Sequence, residues 1–141
     1  MLGASGQSLI ERALSGRVFA VCGVSRDPSK FGYRVYSYLR AAGLKVYAVN
    51  PNAASIGSDP CYPSLFEIPE RIDCVVAVTQ PANTTKIASD CTTLLIPFIW
   101  MQPGAESEEA IAFAKVGGIN VIAGGPCIMV EHRLRNQRNL D

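Results

Sequence analysis

The chain has 141 residues, 48% of them apolar, and a formal net charge of +1. That length suits a single domain spanning 1–141, able to bury roughly 68–70% of its unfolded surface without staples, and the apolar share excludes disorder. The near-neutral charge gives no footing for nucleic acid, and no apolar stretch reaches the ~18 residues of a membrane span.

Met1-Leu-Gly-Ala-Ser-Gly-Gln-Ser8 has neither the basic nor the apolar region of a secretory signal. Ser8 to Leu14 predicts a short lead-in helix that stops near Gly16. Residues 18–23 form an apolar run of strand type ending at Gly23, followed by Ser25 and a charged loop through Lys30. Phe31, Val35, Tyr38, Leu39 and Ala42 then recur at helical spacing until Gly43. Strand two is 45–49. Residues 60–69 read as a loop with one helical turn, and 73–79 as a third strand covered on both faces. Pro81 opens a helix as its first residue. Strand four is 97–101, with Pro97 tolerable only at its start. Ser107 caps a helix whose first turn carries Glu108 and Glu109. Gly117-Gly118 ends it, strand five is 119–123, and Gly124-Gly-Pro126 leads into a C-terminal helix with Arg133, Arg135 and Arg138.

Strands alternating with helices predict an α/β, doubly wound, mostly parallel five-stranded Rossmann-like sheet with helices on both faces. Ligands of such sheets bind beyond the carboxyl ends of the strands. Here those ends are Gly23-Val24-Ser25, Asn50-Pro51, Thr79-Gln80-Pro81, Gln102-Pro-Gly104 and Gly124-Gly-Pro126. Gly23 lets backbone approach a phosphate, Ser25 offers a hydroxyl, and Arg26, Lys30 and Arg34 follow in the loop and helix start. A solvated basic loop on a plain strand-loop-helix turn is the competing reading. Strand two ends in Asn50-Pro51-Asn52, where a domain that holds NAD usually places an acid for the ribose. A nucleotide other than NAD is therefore expected.

Four ordered motifs carry a resemblance. They are Gly23-Val-Ser25 with Tyr33-Arg34-Val35; Tyr47-Ala-Val-Asn50-Pro51; Tyr62-Pro-Ser-Leu65 with Ile68-Pro69; and Trp100-Met-Gln102-Pro-Gly104 followed by Cys127 and Glu131-His132. The chain resembles the small, single-domain CoA-binding proteins, whose domain also forms the N-terminal part of the succinyl-CoA ligase alpha subunit. The resemblance implies CoA or acyl-CoA lying across the strand ends. It puts the diphosphate at Ser25 and Arg26, the adenosine by Asn50-Pro51, and the nucleotide and pantetheine path along Thr79, Gln80 and Pro81. In this family a basic residue often follows Asn-Pro and pairs with the 3′-phosphate; Asn52 stands there instead. Gly124-Gly-Pro126 likewise replaces a segment that is often polar or charged.

No nucleophile–base set, paired acids or metal-ligand spacing is found, so no catalytic or metal residue is expected. His132, the one histidine, is read as structural on the last helix. Cys127 at that helix start is read as a small buried residue, with a reactive thiol as its alternative. Cys22 and Cys74 read as strand core, and Trp100 as core. Five cysteines without a CxxC suggest reduced thiols in the cytoplasm. The leading expectation is a CoA-binding, sensing or carrier module without chemistry of its own. An NAD(H) or adenine-nucleotide sensing regulator stays open, as does a CoA-thioester enzyme. A homodimer, or a protein partner that supplies further ligase domains, stays open too.

Overall fold

In the computed structural model, which describes residues 4–140, the run Val18–Cys22 is buried along its whole length as strand β1. β1 lies at the centre because it is apolar on both faces. Parallel strand β2 (Lys45–Val49) pairs on one side with Val18 opposite Lys45. Helix α1 (Ala4–Leu14) precedes β1, and α2 (Phe31–Ala41) joins β1 to β2. After β2 the chain makes a small hairpin, β3 (Ser55–Ile56) antiparallel to β4 (Asp59–Tyr62), and β4 runs parallel to the end of β2. A 3-10 turn at Leu65–Glu67 leads to β5 (Cys74–Ala77), which pairs with the free side of β1, Phe19 opposite Cys74. Helix α3 (Pro81–Leu94), β6 (Phe98–Met101), α4 (Glu108–Val116), β7 (Asn120–Ile122) and α5 (Ile128–Leu140) complete the order. The first three residues, where no targeting signal is expected, lie outside the described residues, as does Asp141.

Among the described residues seven strands make the sheet, in the order β3-β4-β2-β1-β5-β6-β7, where the sequence pattern predicts five. The five predicted strands are all present and parallel; the addition is the hairpin. The helical turn expected within 60–69 is found at Leu65–Glu67, but 59–62 is strand rather than loop. Pro60 hides it. Pro60 faces Ser55, and the ladder bond runs one residue on, from the Cys61 N–H to the Ala54 carbonyl at 3.0 Å, so no donor is required of the proline.

Alternate strand residues feed two cores. Phe19, Val21, Val46, Val76 and Trp100 pack under α1, α2 and α5. Ala20, Cys22, Val75, Ile99 and Met101 pack under α3 and α4. The chain steps from β1 to β2 one way and from β5 through β6 to β7 the other way. With one hand of crossover, the two sets of helices fall on opposite faces. Trp100 is fully buried, and its indole N–H donates to the Pro126 carbonyl at 3.0 Å, so it is core and also holds the entry to α5.

Candidate functional site

β1 is the point where the winding reverses, so the loops after β1 and β5 diverge and leave a crevice at their carboxyl ends. The crevice is a cleft of about 470 Å³ bounded by the loops after β1, β2 and β5, the segment after β4 and one face of α3. Gly23 forms its inner edge with φ +95°, and a Cβ there would collide with the Val78 carbonyl. Gly32, in the first turn of α2, would collide through any side chain with the Gly23 carbonyl. The helix start is thus pressed against the strand end. In a Gly-rich fingerprint a further glycine does this work; here a longer loop separates the two.

The loop between them is braced from within. Ser25 Oγ accepts from the Asp27 N–H at 3.0 Å and keeps its own hydrogen to donate. Asp27 Oδ1 accepts from the N–H and the hydroxyl of Ser29 at 2.9 and 2.8 Å, and these bonds hold its carboxyl below the usual carboxylate range, the backbone one most. Among the described residues no side chain caps α2, so the N–H groups of its first turn have no side-chain partner.

The sequence-predicted residues divide. Gly23, Ser25, Asn50, Pro51, Thr79 and Gln80 line the cleft. Thr79 and Gln80 also line a shallower groove of about 170 Å³ with Phe31, Pro103 and Gly104, so they form the ridge between the two spaces. Arg26, Lys30 and Arg34 are exposed and line neither space. Tyr33 lines a separate hollow with Tyr36 and Arg40. Val24 is fully buried, and its carbonyl accepts from Asn50 Nδ2 at 2.7 Å. Asn50 Oδ1 accepts from the Asn52 N–H at 2.8 Å, so this amide clamps two loops together. Pro81 is the exposed first residue of α3. Gln102 is wholly buried outside the cleft. Its Oε1 accepts from the Ile128 N–H at 2.8 Å and its Nε2 donates to Cys127 Sγ at 3.3 Å, so it caps α5. Thr84, also wholly buried, bonds to Thr79 Oγ1 and to the Ala105 carbonyl, both at 2.7 Å, and ties the loops after β5 and β6 together.

Residues not anticipated from the sequence complete the cleft: Pro63, Ser64 and Leu65 on one side, and Asn83, Lys86, Ile87 and Asp90 on α3. Lys86 Nζ lies 3.2 Å from Asp90 Oδ2. Cys22 closes the floor, its thiol pushed well above its ordinary value by burial first, then by Cys91 and Asp90, against the opposing charge of Lys86. It remains a neutral core thiol. His132 is buried, and its Nδ1 is 3.0 Å from the Tyr38 hydroxyl, so it joins α5 to α2 away from the cleft. Among the described residues no group of three His, Cys, Asp or Glu is placed to hold a metal ion.

The likenesses to known proteins follow the same geometry. The ADP-forming acetate–CoA ligase I of Archaeoglobus fulgidus is 37% identical over 82 residues, 58% of this chain and 12% of the ligase. The chain therefore spans about an eighth of that relative. A conserved hypothetical protein of Pyrococcus furiosus superposes with a TM-score of 0.78 at 36% identity, over 82% of this chain and 99% of that one. The dinucleotide-forming acetyl-coenzyme A synthetase 1 of Candidatus Korarchaeum cryptofilum superposes with a TM-score of 0.69 at 29% identity, over 79% of this chain and 27% of the synthetase. Residues 17–133 match the family model described as the CoA binding domain, which takes in the sheet from β1 to β7, the cleft and the first turns of α5, and the chain belongs to that family.

Proposed function

We propose that this chain binds CoA or an acyl-CoA in the cleft between the β1 and β5 loops and acts as a binding, sensing or carrier module. The observation that carries this is the Gly23–Gly32 contact, which brings the uncapped start of α2 to the edge of the cleft beside Ser25. Backbone N–H groups, a helix dipole and a free hydroxyl near that contact are the kinds of group that suit a diphosphate. From there two spaces run either side of the Thr79–Gln80 ridge, giving a nucleotide and a pantetheine arm separate courses. The family to which the chain belongs supports CoA as the ligand.

Binding without turnover is supported by the lining itself. Its thiol, Cys22, is held neutral by burial, and Lys86, the one ammonium lining it among the described residues, is paired with Asp90. Relatives carry this domain inside much longer ligases, which supports a protein partner for any chemistry on the thioester. Five unpaired cysteines support a reducing, cytoplasmic compartment. Native mass spectrometry of the freshly purified protein tests the ligand. A retained mass equal to CoA or an acyl-CoA is expected, and retention of NAD or another nucleotide in its place overturns the proposal.

A further inference from the structure

One wall of the cleft is charged. Lys86 and Asp90 stand one turn apart on α3, and both line the space. The Asp90 side chain is only 11% exposed, whereas that of Lys86 is 72% exposed. A pair at this spacing supports a helix without being buried. Burying the carboxylate costs desolvation that only further hydrogen bonds offset. Oδ2 receives the Lys86 ammonium, and among the described residues no hydrogen bond reaches Oδ1. The enclosed oxygen without a partner is Glu106 Oε2, not Asp90 Oδ1, so Asp90 Oδ1 remains reachable from the cleft. The neighbouring walls are apolar: Pro63 and Leu65 on one side and Ile87 beside the pair. A flat ring with a polar edge fits such a space, its faces on aliphatic carbon and its edge on a donor beside an acceptor.

We propose that Lys86 and Asp90 hold the adenine of the bound CoA. Asp90 accepts from the exocyclic amine N6, and Lys86 donates to the ring nitrogen beside it. The inference rests on the CoA reading above and adds where the base lies: against α3, with the diphosphate at Gly23 and Ser25. Either edge of adenine that contains N6 sets an acceptor nitrogen, N1 or N7, next to it, so the donor–acceptor order of the pair is matched.

The test compares CoA with 1,N6-etheno-CoA, in which a two-carbon bridge removes both N6 hydrogens. Each is titrated by calorimetry into the wild-type chain, Lys86→Met and Asp90→Ala. On the wild type, etheno-CoA is expected to bind at least about tenfold more weakly, the effect of losing a hydrogen bond to a charged group. In Asp90→Ala the ratio of the two affinities is expected to fall below about threefold, because the acceptor for N6 is gone, whereas Lys86→Met keeps that acceptor and is expected to weaken binding of CoA while still preferring it to etheno-CoA. Using a ratio within each variant cancels any general loss of stability, and Lys86 is exposed enough that Lys86→Met folds regardless of the fate of Asp90→Ala. Equal binding of the two ligands by the wild type overturns the adenine assignment while leaving CoA binding intact. So does a wild-type preference that persists undiminished in Asp90→Ala, or an affinity for CoA that Lys86→Met leaves unchanged. If CoA itself does not bind, it is the CoA reading that fails.

Discussion

A side chain at Gly32 would collide with the carbonyl oxygen of Gly23. Two glycines nine positions apart thus set how closely the start of α2 approaches the end of β1. Gly32→Ala is expected to force the helix away from the strand. Overpacking of this kind costs about 1–3 kcal/mol. Gly23→Ala meets the Val78 carbonyl and is strained besides, since its φ is +95°. Thermal denaturation of both variants checks this. Gly43→Ala is the control for positive φ alone, because a Cβ there meets nothing within 4 Å. A melting temperature for Gly32→Ala equal to the wild type would mean that the helix start adapts and that the contact does not set the approach.

Ligand choice follows from the ends of β1 and β2. CoA is expected to bind more tightly than NAD, because Asn50 spends its amide on the Val24 carbonyl and the Asn52 N–H, leaving no acid for ribose hydroxyls. Ser25→Ala is expected to cost about 0.5–1.5 kcal/mol of CoA affinity, the worth of a neutral hydrogen bond. Arg26 follows Ser25 directly but is exposed and lines neither space. Arg26→Ala is expected to cost about 1.5–3 kcal/mol only if the side chain swings onto the diphosphate. Calorimetry with both ligands and both variants decides. Tighter NAD binding would sink the CoA reading, and an unchanged Arg26→Ala would mark that arginine as solvated.

Much of this was legible in the chain. Val18–Cys22 and Cys74–Ala77 are apolar at every position, as doubly covered strands must be, and the structure buries them throughout. Ser107 caps α4 as its position before Glu108-Glu109 implies, its Oγ accepting from the Ala110 N–H at 3.0 Å. What stayed hidden was polar structure turned inward. Asp90 and Lys86 look like a solvated i,i+4 pair, and only the rotation of α3 over the sheet shows that they face the cleft. Gln102 looks like a ligand group in a turn, but burial makes it a helix cap. The β3–β4 hairpin is too short, and too interrupted by Pro60, for a period-2 pattern to emerge.

His132 gives a pH signature. Burial, with Arg135 adding, holds its pKa below the ordinary 6.5, so in the folded chain it stays neutral beside the Tyr38 hydroxyl. Above 6.5 both folded and unfolded chains carry it neutral. As pH falls through 6.5 the unfolded chain takes up the proton first, so stability decreases, and the decrease ends once pH has passed below the depressed folded value. Between pH 7 and pH 5, above the range of ordinary carboxylates, the wild type is expected to lose stability that His132→Asn does not. Urea denaturation at a series of pH values measures it. Parallel curves for the two proteins would mean that His132 titrates as freely in the folded chain as in the unfolded one.

The 3′-phosphate of CoA offers the sharpest discrimination. Asn52 lines the cleft at the position where the resemblance implies a basic residue for that phosphate, and it carries no charge. Arg26, Lys30 and Arg34 lie outside the cleft walls, which leaves Lys86 as the one cation lining the cleft among the described residues. Lys86 is already neutralised by Asp90 and, by the argument above, engaged with the base. Dephospho-CoA is therefore expected to bind within about tenfold of CoA, since a full charged contact would contribute about 1.5–3 kcal/mol and exceed that ratio. Competition between the two ligands, repeated at low and high salt, separates the cases. A larger preference for CoA that weakens with salt and vanishes in Lys86→Met would move Lys86 from the base to the phosphate. A larger preference that survives Lys86→Met would require a cation outside the cleft walls, such as Lys30 or a terminal arginine, to fold over the adenosine.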